Sequence, residues 1–381
     1  MSGERVIIIS MSDTLPPPIW VANESSLQTM FADLSHQPRI AVDTEANSLH
    51  AYQEEVCLIQ FSSAGHDYLL DPFAFENLDT LAPLFADPQI EKIFHAAEYD
   101  LLGLKRDFGF TFASLFDTMQ AARILGCEKV GLDAVLAERF GLSLNKRFQK
   151  ADWGARPLSH DQLEYARLDT HYLIPLRDQL KQELESAGRW DLAQEDFRRV
   201  CRVNGTAGEA EEEPWERFAG RRDLNLRQLT ILRELTALRV MIAQRLDRPP
   251  FKVLMDDKLI AMARNVPATK ADLDKLGLSP RQIDRWGAEL LAAVARGVES
   301  PPVNRRQAPR PDDAMLKRLE KLKMWRKKVA AEIGVESDII LPRPYLLMLA
   351  EQGGQDVHSI LESSPGRLER FGIQIRDVLG G

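Results

Sequence analysis

At 381 residues the chain is long for one ordinary domain, and two or three are expected. Its 44% hydrophobic and 28% charged content suits a folded protein with sizeable cores, and no apolar run of about 18 residues exists to span a membrane. The net charge of −8 speaks against nucleic acid when taken whole, yet residues 1–200 hold 18 Lys+Arg and 31 Asp+Glu whereas residues 201–381 hold 31 and 26, balances of −13 and +5. An acidic half joined to a basic one suits an enzyme acting on a polyanion.

In chain order, residues 1–14 read as a flexible N-terminal extension, with Met11-Ser12-Asp13 resembling a second start. Strands are then expected at Ile19–Val21, Ile40–Asp43, Val56–Ser62, Tyr68–Leu70 and Lys92–Phe94, on their β-prone apolar residues. Helices are expected at Ser25–Leu34, Leu78–Phe85, Asp100–Phe108, Thr118–Leu125, Leu132–Phe140 and Gln162–Leu184, the last opened by a Ser159–Gln162 capping box. Strands first, with crossover helices and a helical tail, predict an α/β domain with a mixed sheet. The acidic run Glu209-Ala210-Glu211-Glu212-Glu213-Pro214 predicts a linker, and the Pro/Arg-rich 300–311 a second one.

Both remaining segments read as all-helical, and they resemble each other. Leu238-Arg239 and Val253-Leu254 align 87 residues on with Trp325-Arg326 and Ile340-Leu341. Pro280 and Arg285-Trp286-Gly287 align 85 on with Pro365 and Arg370-Phe371-Gly372. Shared Arg, Gly and aromatic positions point to duplication. Cys57, Cys127 and Cys201 are odd in number and contain no CxxC pair, which argues for a reducing cytoplasm and against zinc.

Three acidic stretches carry the chemistry. In Ile40-Ala41-Val42-Asp43-Thr44-Glu45 the two acids lie on one face of a strand end. Asp100 follows Phe94-His95-Ala96-Ala97, and Tyr165 and Asp169 stand four apart on a helix, hence on one side of it. Singly, each has a plain structural explanation: a strand running into a loop, an acid at a helix N-terminus, a solvent-facing carboxylate. Together, four carboxylates neutralise two hard divalent cations, Mg²⁺ or Mn²⁺, of the kind that hydrolyse phosphodiesters.

In this order the residues resemble the motifs of the DEDDy 3′→5′ exonucleases, and most closely the ribonuclease D family. Phe116-Asp117-Thr118, Asp152-Trp153 and Arg156-Pro157-Leu158-Ser159 fit as well, and the duplicated helices resemble HRDC domains. The resemblance implies a ribonuclease-H-like (DnaQ-type) exonuclease domain over 15–205, HRDC domains over 214–299 and 312–381, and a linker over 300–311. It implies that Asp43, Glu45 and Asp169 hold the ion that activates water, with Asp43 bridging to a second ion that Asp100 supports. Tyr165 would position the water, and Glu45 would touch the terminal 3′-hydroxyl. The implied activity is RNA hydrolysis from the 3′ end to nucleoside 5′-monophosphates, with transfer-RNA precursors as substrates and a monomeric, membrane-free enzyme. No organic cofactor is implied.

Two other readings stay open at this stage: a DNA exonuclease, since sugar preference is not legible, and a nucleic-acid-binding protein with a vestigial site. Outside the motifs, His95 reads as a phosphate contact or a structural histidine, and Asp117 as a helix cap. Lys146, Arg147 and Lys150 around Phe148 read as a strand clamp or a solvated cluster. Lys317–Lys328 is the most basic helix, exposed for solubility or for RNA.

Overall fold

The computed structural model describes residues 15–203, 213–221, 223–304 and 312–380. The expected N-terminal extension, residues 209–212 of the acidic linker and most of the 300–311 linker lie outside the described residues. The chain falls into two compact units: the described residues within 1–46, 56–205 and 311–381, and those within 47–55 and 206–310.

The first unit is built on six strands and eight helices, followed by a helical segment described below. The chain runs β1 (Ile19–Val21), α1 (Glu24–Leu34), β2 (Arg39–Ala46), β3 (Val56–Ser62), β4 (Asp67–Leu70), α2 (Ala82–Ala86), β5 (Glu91–Phe94), α3 (Glu98–Phe108) and β6 (Leu115–Asp117). Then come α4 (Thr118–Leu125), α5 (Leu132–Phe140), α6 (His160–His171), α7 (Leu173–Ser186) and α8 (Trp190–Cys201). The sheet order is β1-β4-β3-β2-β5-β6. It is mixed, as expected: β2 runs antiparallel to β3, with Asp43 opposite Gln60, and parallel to β5, with Ala41 beside Ile93. Every residue of β3 is buried, as befits a strand covered on both faces.

Two helices differ from expectation, each because of a proline. Over 78–85 the chain first makes a 3₁₀ turn (Asp79–Leu81), and the α-helix starts only at Ala82. This puts Pro83 in the first turn, where its missing N–H matters least. The expected helix Gln162–Leu184 is two, broken at Tyr172. In a continuous helix the Pro175 ring would clash with the His171 carbonyl; after the break it sits in the first turn of α7. The three-residue β6 was not expected, being too short to show alternation.

The second unit holds α9 (Leu226–Leu246), α10 (Pro250–Val253), α11 (Asp256–Asn265), α12 (Lys270–Lys275) and α13 (Pro280–Glu299). The last segment, within the first unit, holds α14 (Asp313–Ile333), α15 (Ser337–Ile340), α16 (Arg343–Gln352), α17 (Val357–Ile360) and α18 (Pro365–Leu379). The first three helices of each set start and end 87 residues apart. One hydrogen bond repeats with them: Arg239 Nη1 donates to Leu254 O at 3.1 Å, and Arg326 Nη1 to Leu341 O at 2.8 Å.

The last segment is fastened to α8. Arg367, fully buried, donates to Glu195 Oε2 at 2.8 Å and Asp196 Oδ2 at 2.9 Å, and Arg370 Nη2 to Asp191 Oδ1 at 2.6 Å. Gly366 N–H at the start of α18 donates to Glu195 Oε1 at 2.6 Å. Arg123 of α4 adds pairs to Glu336 and, at 2.7 Å, Asp338.

Candidate active site

The strand β2 presents Asp43 and Glu45 on the face that α6 covers. The capping box starts α6: Ser159 N donates to Gln162 Oε1 at 3.0 Å, and Gln162 N to Ser159 Oγ at 3.3 Å. A buried bond from Ser62 Oγ to Thr170 Oγ1 at 2.7 Å then pins α6 to β3. This brings Tyr165 and Asp169, one turn apart, over Asp43 and Glu45.

Asp100 arrives from α3. The turn before it has Ala96 at φ +64°, a left-handed conformation that a β-carbon disfavours. Asp117 holds this turn. It accepts from Ala96 N at 3.1 Å and Ala97 N at 2.9 Å while capping α4 through Met119 N at 2.9 Å and Gln120 N at 3.0 Å. One buried carboxylate thus fixes the starts of two helices, a role wider than the cap expected of it. Thr44 then ties Asp100 to β2, donating to its Oδ1 from the backbone N–H at 3.0 Å and from the hydroxyl at 2.5 Å.

The four carboxylates feel one another. Burial pushes Asp43 well above the usual carboxylate range, and Asp100, Asp169 and Glu45 push it further. Glu45 rises through burial and the charges of Asp169 and Asp100. Burial lifts Asp100 to about 7 against the hydrogen bonds from Thr44, and lifts Asp169 to about 7 with help from Asp100. Among the described residues no lysine or arginine is paired with any of the four. Nor do any three acids or histidines there close on one point as a finished metal shell. The donor set is nevertheless chemically right for hard divalent cations: oxygen ligands only, close enough to repel, and uncompensated by protein charge.

Burial, with the charges of Asp169, Glu45 and Asp43, keeps the Tyr165 phenol protonated. Its ring lies 5.9 Å from Phe148 and 6.0 Å from the buried Trp153. The Trp153 segment is itself anchored by Arg156, whose guanidinium meets Asp71 at 2.7 and 2.8 Å and Cys57 O at 2.6 Å. All five residues expected from the sequence are therefore brought together.

Sequence reasoning missed Thr44, and it missed Gln60. The latter, on β3 opposite Asp43 of β2, lies fully buried, with neither amide atom hydrogen-bonded among the described residues. A polar residue in the middle of the apolar β3 run was the available signal. His95 turns out structural: Thr118 Oγ donates to Phe94 O, so His95 Nδ1 donates to Thr118 Oγ at 2.9 Å, and burial lowers its pKa to about 4. In the Phe148 cluster, Lys146 pairs with Asp133 at 2.8 Å, and Arg147 lies over the Phe148 ring at 5.2 Å.

A profile of 3′-5′ exonuclease domains matches residues 18–185, and one of HRDC domains matches residues 228–294. Ribonuclease D of Gluconacetobacter diazotrophicus is 33% identical over 81% of this chain and 80% of that protein. Ribonuclease D of Escherichia coli is 31% identical over 74% and 75%. The crystal structure of the E. coli enzyme superposes with TM-score 0.70 and 25% identity, covering 96% of this chain and 99% of that one. The exosome complex exonuclease RRP6 of Saccharomyces cerevisiae is 31% identical over 73% of this chain, but the chain spans only 40% of that longer relative. The carboxylate cluster on the mixed sheet, the helical segments that follow and the likeness along most of both chains place this protein in the ribonuclease D family.

Proposed function

We propose that the chain is a metal-dependent 3′→5′ exoribonuclease. The observation that carries this reading is the set of four carboxylates with a protonated phenol and, among the described residues, no compensating side-chain cation, in a chain of this family. Bound there, two divalent ions, Mg²⁺ or Mn²⁺, would supply an activated water and a counter-charge for the leaving oxygen. Asp43, Glu45 and Asp169 would hold the ion beside the water, and Asp43 with Asp100 would hold the second. Tyr165, packed against Phe148 and Trp153, would orient that water in line with the last phosphodiester. Attack forms the new P–O bond and breaks the bond to the preceding 3′-oxygen. A nucleoside 5′-monophosphate leaves, and the shortened strand keeps a 3′-hydroxyl.

The family relatives named ribonuclease D favour RNA over DNA, and the E. coli enzyme is described as an exoribonuclease involved in structured RNA processing. On that footing we assign 3′ trimming of transfer-RNA precursors, by a monomer in the cytoplasm. We assign residues 15–205 to the exonuclease domain and 214–299 and 312–381 to two HRDC domains, with 1–14 and 300–311 as extension and linker. The test is a time course on 3′-extended transfer RNA and on single-stranded DNA, with Mg²⁺, Mn²⁺ or chelator. Stepwise release of nucleoside 5′-monophosphates from the RNA, abolished by chelator, is the expected result. Equal or faster turnover of DNA, or chelator-resistant hydrolysis, would overturn the assignment.

A further inference from the structure

The two helical sets repeat, but the first turns of α13 and α18 meet different surroundings. In α18 the N-terminal turn receives carboxylates from α8: Gly366 N–H and the Arg367 side chain hold Glu195, and Arg370 holds Asp191. This end of the fold is therefore an anion site, occupied from within the protein. In α13 the equivalent turn begins at Pro280, after the Ser279 cap, and no protein carboxylate occupies it among the described residues. A cavity of about 350 Å³ opens there instead, lined by Ser279, Arg248, Lys252, Arg281, Arg285 and Trp286.

All four cationic side chains are exposed, and none has a hydrogen bond or ion pair among the described residues. Arg285 lies over the Trp286 ring at 5.6 Å, which steadies its guanidinium. Trp286 is 7% exposed, and its indole N–H is without a hydrogen-bond partner. A twenty-residue helix adds the positive end of its dipole.

We propose that this cavity binds backbone phosphates of the RNA strand, the free counterpart of the site that Glu195 fills in the second set. Four unpaired cations are more than a single carboxylate calls for, whereas a strand brings one phosphate per nucleotide. The inference rests on the exoribonuclease reading and locates a second RNA-binding surface outside the carboxylate cluster.

The test uses the full chain with Arg248, Arg281 and Arg285 changed to Gln, and a second variant with Arg281→Gln alone. A parallel variant carries Lys321→Gln and Lys327→Gln on the basic face of α14. Binding of a 5′-labelled 24-nucleotide single-stranded RNA is followed by fluorescence anisotropy between 50 and 200 mM KCl, in chelator. Turnover of a trinucleotide is measured alongside with metal. Every phosphate left without its arginine should flatten the salt slope by about 0.7, so the slope falls by about 2 in the triple variant and by about 0.7 in the single one. Trinucleotide turnover should stay at the wild-type rate, and the α14 variant should keep the wild-type slope. Unchanged affinity and slope in the triple variant overturn the site while leaving the exoribonuclease reading intact. An equal loss on the trinucleotide also overturns it. Wild-type protein that neither binds nor hydrolyses RNA overturns both.

Discussion

Two clusters of carboxylates lie within the first unit, and they are neutralised differently. At the joint between α8 and α18, Asp191, Glu195 and Asp196 face Arg367 and Arg370, at hydrogen-bond distances of 2.6–3.0 Å. At the sheet, Asp43, Glu45, Asp100 and Asp169 face one another, with a phenol and a threonine but no cationic side chain among the described residues. The first cluster is complete as protein and works as a clasp. The second is electrostatically unfinished and calls for cations from solution. Placement of the countercharge thus separates a structural acid cluster from the one proposed to be catalytic.

That contrast predicts opposite responses to the same kind of substitution. Asp43→Asn and Asp169→Asn should each lower hydrolysis about a thousandfold or more, since metal charge stabilisation is worth several kcal/mol and each 1.36 kcal/mol is a factor of ten. Both variants should nevertheless melt higher than wild type in chelator, because each removes a repelling charge. Glu195→Gln should do the reverse. It leaves Arg367 buried with its countercharge reduced, so stability falls by about 3–5 kcal/mol while turnover of a short strand persists in the folded fraction. Circular dichroism melts beside single-turnover rates read both quantities. An Asp43→Asn protein that melts lower in chelator would erase the distinction.

The pH dependence sharpens it further. Asp100 and Asp169 are raised to about 7 in the folded state, against about 4 unfolded. A raised pKa stabilises below the unfolded value and is lost as pH climbs through the folded one. Metal-free protein should therefore lose stability between about pH 4 and 7, while metal affinity rises over the upper part of the same window as protons leave the ligands. Thermal melts in chelator and in Mn²⁺ should diverge as pH rises; parallel curves would contradict the shifts.

Smaller effects follow from the supporting residues. Tyr165→Phe should slow turnover by about 10²-fold at unchanged metal affinity if, as proposed, the hydroxyl orients water and does not ligate. Thr44→Val removes a hydroxyl bond to a charged group, worth about 1.5–3 kcal/mol. It should shift the acidic limb of the rate profile upward by freeing Asp100 to hold its proton. A drop in rate with no shift of the limb would make Thr44 a packing residue only.

Much of this was legible in the sequence, for reasons the structure explains. Asp43 and Glu45 sit two apart because a strand repeats every two residues, and Tyr165 and Asp169 four apart because a helix turns in about that number. Such local geometry survives in sequence spacing, and so did the helix repeat, down to the shared Arg239 and Arg326 bonds. What sequence hid depends on distant partners. Thr44 gains its meaning from Asp100, Gln60 from its place opposite Asp43, and Arg367 from Glu195, 172 residues away. The clasp also changes what a truncation would test: deleting 312–381 would uncover Glu195 and Asp196 along with removing the basic face of α14, so loss of RNA binding could not be assigned to that face.

The four carboxylates are proposed to form a metal site. Titration of wild-type protein and of Asp43→Asn with Mn²⁺, followed by calorimetry at pH 7.5, tests it most directly. Two ions should bind per wild-type chain, with binding lost or sharply weakened in the variant, whose melt in chelator shows it folded. Equal Mn²⁺ binding by both proteins, or none by wild type, would contradict it.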